Sequence, residues 1–255
     1  METVNVEVQG SVTTVRLHRP DVRNALNEVL IAELTQAFAT LPGSTRAVVV
    51  AGSGPAFCAG ADAQWMKRSK SFSREENERD AAALASLLNA IDECPFPTVA
   101  RVHGPALGGG VGLVAACDIV IAEEQAQFGF PEVRLGLVPA VISTFVLPRI
   151  GARAARRYFL TGERFAAPQA VAMGLVHETA PASALDGRIE GILRELLQGA
   201  PRALGAAKLL IRTVTALPRD RAIEESIRTI SELRVAPEAQ EGLSAFLEKR
   251  KPNWP

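Results

Sequence analysis

Short apolar β segments alternate with helical periodicities through the first half of the chain, and this alternation limits the fold class. Residues 4–8 and Val12–Leu17 alternate apolar and polar side chains around a Gln-Gly-Ser turn, which predicts an antiparallel hairpin. Residues 46–51, Arg-Ala-Val-Val-Val-Ala, are typical of a strand buried on both faces. Residues 98–103 and 118–122 are predicted as two further strands. Because helical segments separate these strands and can cover them, we predict an α/β protein.

Two helices are predicted between these strands. Asn27 can cap a helix in which apolar residues recur at helical spacing as far as Leu41. The charged stretch at residues 67–80 is expected to lead into a second helix, which carries Leu84 and Ile91 on its apolar face.

The second half of the chain has a helical pattern interrupted by prolines, which can start or stop helices. Amphipathic stripes mark residues 182–197, 203–214 and 221–233. Apolar faces on such helices need a partner surface. We therefore divide the chain into a core at residues 1–195 and a C-terminal helical region at residues 196–255.

Charge and cysteine content argue against several classes of function. Lys plus Arg and Asp plus Glu each number 28, so the overall field does not attract nucleic acid or an anionic membrane. No apolar run approaches the roughly 18–20 residues of a membrane span. Cys58, Cys94 and Cys117 are odd in number and have no close metal-ligand spacing, which favours a reducing compartment. We expect a cytoplasmic protein without nucleic-acid or membrane partners.

The first segment that could carry chemistry is residues 57–62, Phe-Cys-Ala-Gly-Ala-Asp. Its small side chains let a ligand approach the main chain, and Gly60 can adopt backbone angles that other residues avoid. Asp62 is placed to cap a short helix. A tight turn followed by a capped helix would explain the same residues without a ligand.

The second segment is the glycine run Gly108-Gly109-Gly110 at a predicted helix start. Free N–H groups and the helix dipole at such a start suit a developing oxyanion or a phosphate. The pattern Gly110-x-Gly112-x-x-Ala also fits a loose dinucleotide-binding motif. Residues 104–107 separate the run from the preceding strand, however, and this disfavours the dinucleotide alternative.

The third segment contains Glu132, which follows a proline and is surrounded by apolar residues. Such surroundings disfavour the charged form, so this carboxyl group could exchange protons near neutral pH. The alternative is a glutamate at a helix start, paired with Arg134. The three histidines have no carboxylate or cysteine neighbours at ligand spacing, so we predict no metal site.

Together and in this order, the three segments resemble the enoyl-CoA hydratase/isomerase (crotonase) family. The family's pattern is similar to Phe-x-Ala-Gly-Ala-Asp, then Gly-Gly-Gly leading to Ala-x-Cys-Asp, then Phe-Gly-x-Pro-Glu. This chain has these patterns at residues 57–62, 108–118 and 128–132. Further similar stretches are residues 23–27, 160–165, 174–176 and 249–254, so the resemblance covers nearly the whole chain.

The resemblance implies a fold and an assembly. The fold would be a spiral of ββα turns, followed by C-terminal helices that mediate a homotrimer, often doubled to a hexamer. It also implies an acyl-CoA thioester as substrate and no separate cofactor, because coenzyme A is part of the substrate.

The resemblance also assigns roles to individual residues. The thioester oxygen would accept hydrogen bonds from the backbone N–H groups of Ala61 and Gly109, with Glu132 moving protons. Asp62, Ala63 and Gln64 would line the acyl pocket, and Gly108 would also bind substrate. The adenine end of coenzyme A would lie near Arg23, Ala25 and Leu26. Phe246 and Lys249 would reach in from a neighbouring subunit.

One departure from the family pattern leaves the reaction open. Hydratases of the family commonly carry two glutamates, and one of them would fall at Gly112. We predict hydration with Glu132 as the single carboxylate. A double-bond isomerase, in which one carboxylate shuttles a proton between two carbons, is the alternative. A weakly catalytic acyl-CoA-binding protein is a third possibility.

Residues 132–143 are similar to the bacterial methylglutaconyl-CoA hydratase branch of the family. This similarity suggests 3-methylglutaconyl-CoA as the substrate. Arg134 could then assist an acidic acyl group, although a surface arginine would explain it equally well.

Overall fold

The computed structural model describes residues 1–254 as an α/β protein with two sheets. The strands are β1 Val4–Gln9, β2 Val12–Leu17, β3 Ala47–Gly52, β4 Thr98–Val102, β5 Pro105–Leu107, β6 Ile119–Glu123, β7 Gln127–Gly129, β8 Arg164–Ala166 and β9 Glu178–Ala180. The helices are α1 Glu28–Ala39, α2 Ala63–Ser69, α3 Arg74–Asp92, α4 Gly109–Ala116, α5 Ala140–Thr161, α6 Ala167–Ala172, α7 Leu185–Gln198, α8 Pro201–Ala216, α9 Arg219–Arg234 and α10 Pro237–Leu247.

The larger sheet has the order β1-β2-β3-β4-β6-β9, and the smaller has the order β5-β7-β8. Strands β1 and β2 form the predicted antiparallel hairpin, and every later pair of the larger sheet is parallel. β4 is followed at once by β5 and then by α4, while β6 is followed by β7 and later by α5. These two turns each give one strand to each sheet before the helix, which is the predicted ββα pattern.

Strand β3 is buried along its whole length, as its apolar run predicts. Val48 and Val50 point into the main hydrophobic core, which also contains residues of α1, α3 and α4. Val49 points to the opposite face, where it packs with Leu185 and Ile189 of α7. Since successive side chains of a strand face opposite sides, a strand between two helix layers has to be apolar throughout.

Two predicted boundaries differ in the structure. Helix α3 begins at Arg74, so the second half of the charged stretch at 67–80 is already helical. A capping box explains this start, because the Ser73 side chain accepts from the Glu76 N–H while the Glu76 carboxylate accepts from the Ser73 N–H. The domain boundary predicted at residue 195 falls inside α7, which ends at Gln198 and packs on the larger sheet through Leu185 and Ile189.

Helices α8 to α10 follow the sheet and pack less completely. Neither α8 nor α9 contains a buried residue. Their exposed apolar side chains include Leu209, Ile211, Ile223, Ile227 and Ile230. The trimer implied by the resemblance remains a prediction, since one chain is described. No helix within residues 1–254 is long and apolar enough to cross a membrane.

Candidate active site

The loop at residues 57–62 is joined to β5 by main-chain hydrogen bonds. The Cys58 N–H donates to the Pro105 oxygen at 3.1 Å, and the Leu107 N–H donates to the Cys58 oxygen at 2.9 Å. These two bonds form a parallel bridge between Cys58 and Ala106. The start of the loop is thereby fixed beside the strand that leads into the glycine run.

Leu26 holds the end of the same loop in a second parallel bridge, opposite Ala61. The Leu26 N–H donates to the Gly60 oxygen at 2.7 Å, and the Asp62 N–H donates to the Leu26 oxygen at 2.8 Å. In a parallel ladder, the residue between two such bonded neighbours directs its own N–H to the other side. The Ala61 N–H therefore points away from Leu26, and it donates no hydrogen bond within residues 1–254.

The glycine run starts α4 beside the carboxylate of Glu132. The Gly108 N–H donates to the Gly129 oxygen of β7 at 2.9 Å, whereas the Gly109 N–H has no acceptor among the described residues. Gly109 is the first residue of α4, where free N–H groups and the helix dipole give a positive potential. Gly108 has φ +50°, and a Cβ there would lie 2.9 Å from Oε1 of Glu132. Both the backbone angle and the close carboxylate require glycine.

Glu132 lies in the 3-10 helix Pro131–Leu135, which follows β7. Its Oε2 atom is buried and has no hydrogen-bond partner within residues 1–254. Burial raises the pKa of Glu132, and the hydrogen bond from its own backbone N–H opposes this rise only in part. A half-buried carboxyl group with an unpaired oxygen and a raised pKa is suited to proton transfer.

These groups meet in one cavity of about 510 Å³. Its wall includes Ala61, Gly109 and Glu132, the three residues predicted to be catalytic, together with Leu26. Such a volume is typical of small-molecule sites, which commonly enclose about 300–1,000 Å³. The cavity thus combines two free main-chain donors with one carboxylate oxygen, Oε2 of Glu132, that lacks a partner.

Three residues predicted to line the acyl pocket, Asp62, Ala63 and Gln64, are not in the wall of this cavity, which is described for residues 1–254. The Asp62 carboxylate accepts hydrogen bonds from the N–H groups of Gln64 at 2.7 Å and Trp65 at 3.1 Å, so it caps α2 as predicted. It also forms a salt bridge with Arg19 at 2.9 Å. These contacts lower the pKa of Asp62 despite the opposing effect of burial. Asp62 supports the loop and α2 rather than the cavity wall.

The residues predicted near the adenine of coenzyme A occupy different environments. Arg23 is exposed and has φ +53°, and its oxygen accepts a hydrogen bond from the Ala59 N–H at 3.0 Å. Ala25 is buried, and its oxygen accepts a hydrogen bond from Nη1 of Arg19. Phe246 and Lys249 are exposed near the end of α10 and do not reach the cavity of their own chain. Their predicted contact across a subunit boundary stays a prediction.

The position of the missing second glutamate is occupied by another side chain. A Cβ at Gly112 would lie 2.6 Å from Cγ2 of Ile142 and 3.4 Å from Cδ1 of Leu88. Ile142 is itself part of the cavity wall. The space that a second carboxylate would need is therefore filled by hydrocarbon.

Arg134 lies outside the cavity wall. A Cβ at Gly162 would lie 3.1 Å from Nε of Arg134. The hydrogen bond from Arg157 lowers the pKa of Glu163 most, and the charge of Arg134 adds a smaller effect in the same direction. The side chain is thus directed toward residues 162 and 163. The hypothesis that Arg134 assists an acidic acyl group has no geometric support in this arrangement.

Sequence reasoning missed the part of the wall that α2, α3 and the start of α5 supply. Trp65 of α2, a stripe on α3 and residues 136–142 line the cavity. The stripe on α3 consists of Asn77, Asp80, Ala81 and Leu84. A signal was present, because these positions have the i, i+3, i+4, i+7 spacing of one helix face. Two of the four residues are polar, so the stripe does not stand out as an apolar face.

Comparisons with known proteins agree with this geometry. The chain matches the family model described as enoyl-CoA hydratase/isomerase over residues 7–255. It is 34% identical to an enoyl-CoA isomerase/hydratase of Mycosarcoma maydis, with 92% of this chain and 89% of the relative covered. It is 32% identical to the 2,3-dehydroadipyl-CoA hydratase of Escherichia coli, with 100% and 99% covered.

A solved structure extends this similarity to the fold. The crystal structure of an enoyl-CoA hydratase from Shewanella pealeana superimposes with a TM-score of 0.95 at 36% identity, covering 99% of this chain and 96% of that one. The match of the family model over nearly all residues agrees with the order of the three motifs and with the ββα spiral. The chain therefore belongs to the enoyl-CoA hydratase/isomerase (crotonase) family.

Proposed function

We propose that the protein is an enoyl-CoA hydratase, which adds water across the 2,3 double bond of an enoyl-CoA thioester. The main support is the meeting of two unpaired N–H groups, those of Ala61 and Gly109, with the unpaired Oε2 of Glu132 in one cavity. The hydratase names of relatives from several organisms support the same reaction.

The two amides would stabilise the charge that develops during the reaction. When water adds to the double bond, negative charge accumulates on the thioester oxygen in an enolate-like transition state. Ala61 and Gly109 would donate hydrogen bonds to that oxygen, and such preorganised donors contribute up to about 3–4 kcal/mol each. Their supporting hydrogen bonds keep them oriented before substrate arrives, so little reorganisation is needed.

Glu132 would carry out both proton transfers of the addition, while the second proton of water stays on the new hydroxyl group. As a carboxylate it accepts one proton from water while the hydroxide oxygen bonds to C3, and the electron pair of the double bond moves toward the thioester. It then returns that proton to C2, so water is added and the carboxylate is regenerated. The raised pKa of Glu132 makes it a stronger base than an ordinary carboxylate, which suits this exchange.

The substrate itself would supply the coenzyme, so the proposed reaction needs no separate cofactor. The adenine end of coenzyme A would lie near Arg23, Ala25 and Leu26.

We also propose a homotrimer or a hexamer of two trimers, in which Phe246 and Lys249 reach a neighbouring site. The exposed apolar residues of α8 and α9 and the 80% exposure of Phe246 support such an interface. Light scattering coupled to gel filtration would measure the assembly.

Double-bond isomerisation is a second candidate, favoured by one observation. Ile142 fills the space of a second carboxylate at Gly112, so Glu132 acts without an acidic partner there. An isomerase needs one carboxylate to move a proton between two carbons. The relative from Mycosarcoma maydis carries both activities in its name.

A turnover panel with mass and NMR identification of products distinguishes these functions. We expect a 3-hydroxyacyl-CoA from crotonyl-CoA. The panel includes 3-methylglutaconyl-CoA, the substrate suggested by the sequence, and 2,3-dehydroadipyl-CoA, the substrate named for a relative. A shifted alkene would establish isomerisation, and binding without turnover would establish a weakly catalytic binder.

Glu132→Gln should lower kcat by about 10³-fold. Retention of full hydratase activity would refute the role of Glu132, and Glu124→Gln, on an exposed turn, is the control.

A further inference from the structure

Helix α3 presents one ionisable side chain to the cavity. Asn77, Asp80, Ala81 and Leu84 lie on the same face of α3 and line the cavity together with Glu132. Asp80 is the one acidic or basic residue of this stripe, and it is half-buried. The mechanism proposed above does not use it.

Trp65 fixes the orientation of this carboxyl group. The indole Nε1 of Trp65 donates a hydrogen bond to Oδ1 of Asp80 at 3.1 Å. Trp65 lies on α2, whose first turn is capped by Asp62. Oδ2 of Asp80 accepts no hydrogen bond within residues 1–254. One oxygen is thus held by the protein and the other is free to accept a donor from a ligand.

Asp80 lines the cavity and also a second space that the groups assigned to the reaction do not line. Together with Ile31 it also lines a neighbouring groove of about 390 Å³ between α1 and α3. Ala61, Gly109 and Glu132 do not contribute to that groove. Asp80 and Ile31 therefore stand at the border between the two spaces, where the far part of an acyl chain would arrive.

The ionisable side chains that line the cavity are acidic. Glu132 and Asp80 are the ionisable residues among the described residues that line the cavity, and none of these is Lys, Arg or His. Burial raises the pKa of Asp80, the hydrogen bond from Trp65 opposes this rise in part, and the nearby charge of Glu28 adds to it. Glu28 itself forms a salt bridge with Arg68. A carboxylate on an acyl chain would find no cation on the cavity wall, whereas a hydroxyl group would find an acceptor.

We infer that Asp80 determines acyl specificity: its free oxygen accepts a hydrogen bond from a hydroxyl group on the acyl chain, and its charge disfavours an acyl chain that ends in a carboxylate. This inference rests on the proposed acyl-CoA function. It opposes the acidic substrate suggested by residues 132–143, and it separates this chain from the relative named for 2,3-dehydroadipyl-CoA.

Calorimetric titration of three saturated thioesters, which cannot be hydrated, tests the inference independently of catalysis. The probes are hexanoyl-CoA, 6-hydroxyhexanoyl-CoA and adipyl-CoA at about pH 8, where ordinary carboxyl groups are ionised. We expect the wild type to bind adipyl-CoA about tenfold more weakly than 6-hydroxyhexanoyl-CoA. Asp80→Asn, which keeps an acceptor for Trp65, should tighten adipyl-CoA binding about tenfold. Asp80→Leu should remove the advantage of 6-hydroxyhexanoyl-CoA over hexanoyl-CoA, about fivefold.

Glu78→Gln is the matched control, because Glu78 lies on the same helix, is exposed and pairs with Arg74. It should leave all three dissociation constants unchanged. Equal binding of the three thioesters by the wild type, or an unchanged adipyl-CoA affinity in Asp80→Asn, would overturn the inference while leaving the proposed function intact. Failure to bind any of the three would overturn the proposed function itself.

Discussion

The cavity has two walls that differ in what fixes their shape. The main-chain wall consists of Ala61 and Gly109. The segments that carry them, residues 57–62 and 108–110, are held by backbone hydrogen bonds to Leu26, β5 and β7. The side-chain wall, formed by α3 and residues 136–142, is shaped by the side chains that line it. The first wall offers N–H groups that no single side-chain substitution removes, while the second can change with each residue. We therefore expect changes in the first wall to affect turnover and changes in the second to affect selectivity.

The largest effect is expected where the two walls meet. Gly112→Glu should lower the free energy of unfolding by about 3–5 kcal/mol, because its Cβ would lie 2.6 Å from Cγ2 of Ile142 and its charge would be buried. Urea denaturation followed by circular dichroism measures this change. Gly43→Glu is the control, since nothing lies within 4 Å of a Cβ there. Equal stabilities for the two variants would mean that the junction repacks freely.

Within the segments that carry the main-chain wall, Gly108→Ala should lower kcat about 10²-fold for every substrate. The added Cβ would lie 2.9 Å from Oε1 of Glu132, so it would displace the carboxylate or the start of α4. Gly10→Ala separates this contact from backbone strain, because Gly10 also has positive φ, at +59°, with nothing within 4 Å. Steady-state kinetics would contradict the prediction if both variants kept the kcat of the wild type.

Glu132 should reduce stability near neutral pH, since its unpaired oxygen is buried. The folded-state pKa is raised, so the destabilisation is complete above that pKa and absent below the unfolded value of about 4.3. Glu132→Gln should therefore raise the free energy of unfolding by about 1–2 kcal/mol at neutral pH, and by less as the pH falls. Denaturation at several pH values measures this. A gain that grows on acidification would contradict the stated cause.

The pH dependence of turnover should reflect the same shift. Glu132 acts as a base in its charged form, so kcat/KM should fall as the pH drops through the raised pKa. This acid limb should lie above the range of an ordinary carboxyl group. A rate profile over acidic and neutral pH measures it, and an acid limb at an ordinary carboxyl pKa would argue against desolvation of Glu132.

The smallest effect is expected from the side-chain wall. Leu84→Ala should enlarge the cavity and raise the ratio of kcat/KM for long over short enoyl thioesters by about threefold, with little change in kcat for crotonyl-CoA. Ala82→Ser, on an exposed position of the same helix, is the control. A large fall in kcat for crotonyl-CoA would remove the distinction between the two walls.

The same difference explains what could be predicted from sequence. Local patterns predicted the hairpin of β1 and β2, the buried strand β3, and the caps at Asn27 and Asp62. Each depends on residues a few positions apart. The Ser73 capping box was equally local, and recognising it would have given the correct start of α3.

Long-range contacts could not be predicted in this way. No spacing indicates that Ile142 fills the place beside Gly112, or that Asp62 pairs with Arg19. The α3 stripe has helical spacing, but its mixed polarity resembles a solvent-facing surface until the cavity is known. Motifs that depend on the main chain and on glycine can be recognised in a single sequence. A cavity wall formed by side chains that are distant in sequence can be recognised only when the fold is known.

The parallel bridge between Leu26 and Ala61 connects the segment proposed to lie near adenine with the N–H group proposed to bind the thioester oxygen. Residues 23–26, which precede α1, cannot shift along the loop at residues 57–62 without rotating the peptide group that carries the Ala61 N–H. A ligand that displaces residues 23–26 would thus also displace the Ala61 N–H inside the cavity. A substitution that alters how residues 23–26 bind a ligand is therefore expected to alter the orientation of the Ala61 N–H as well, because both depend on the same two hydrogen bonds.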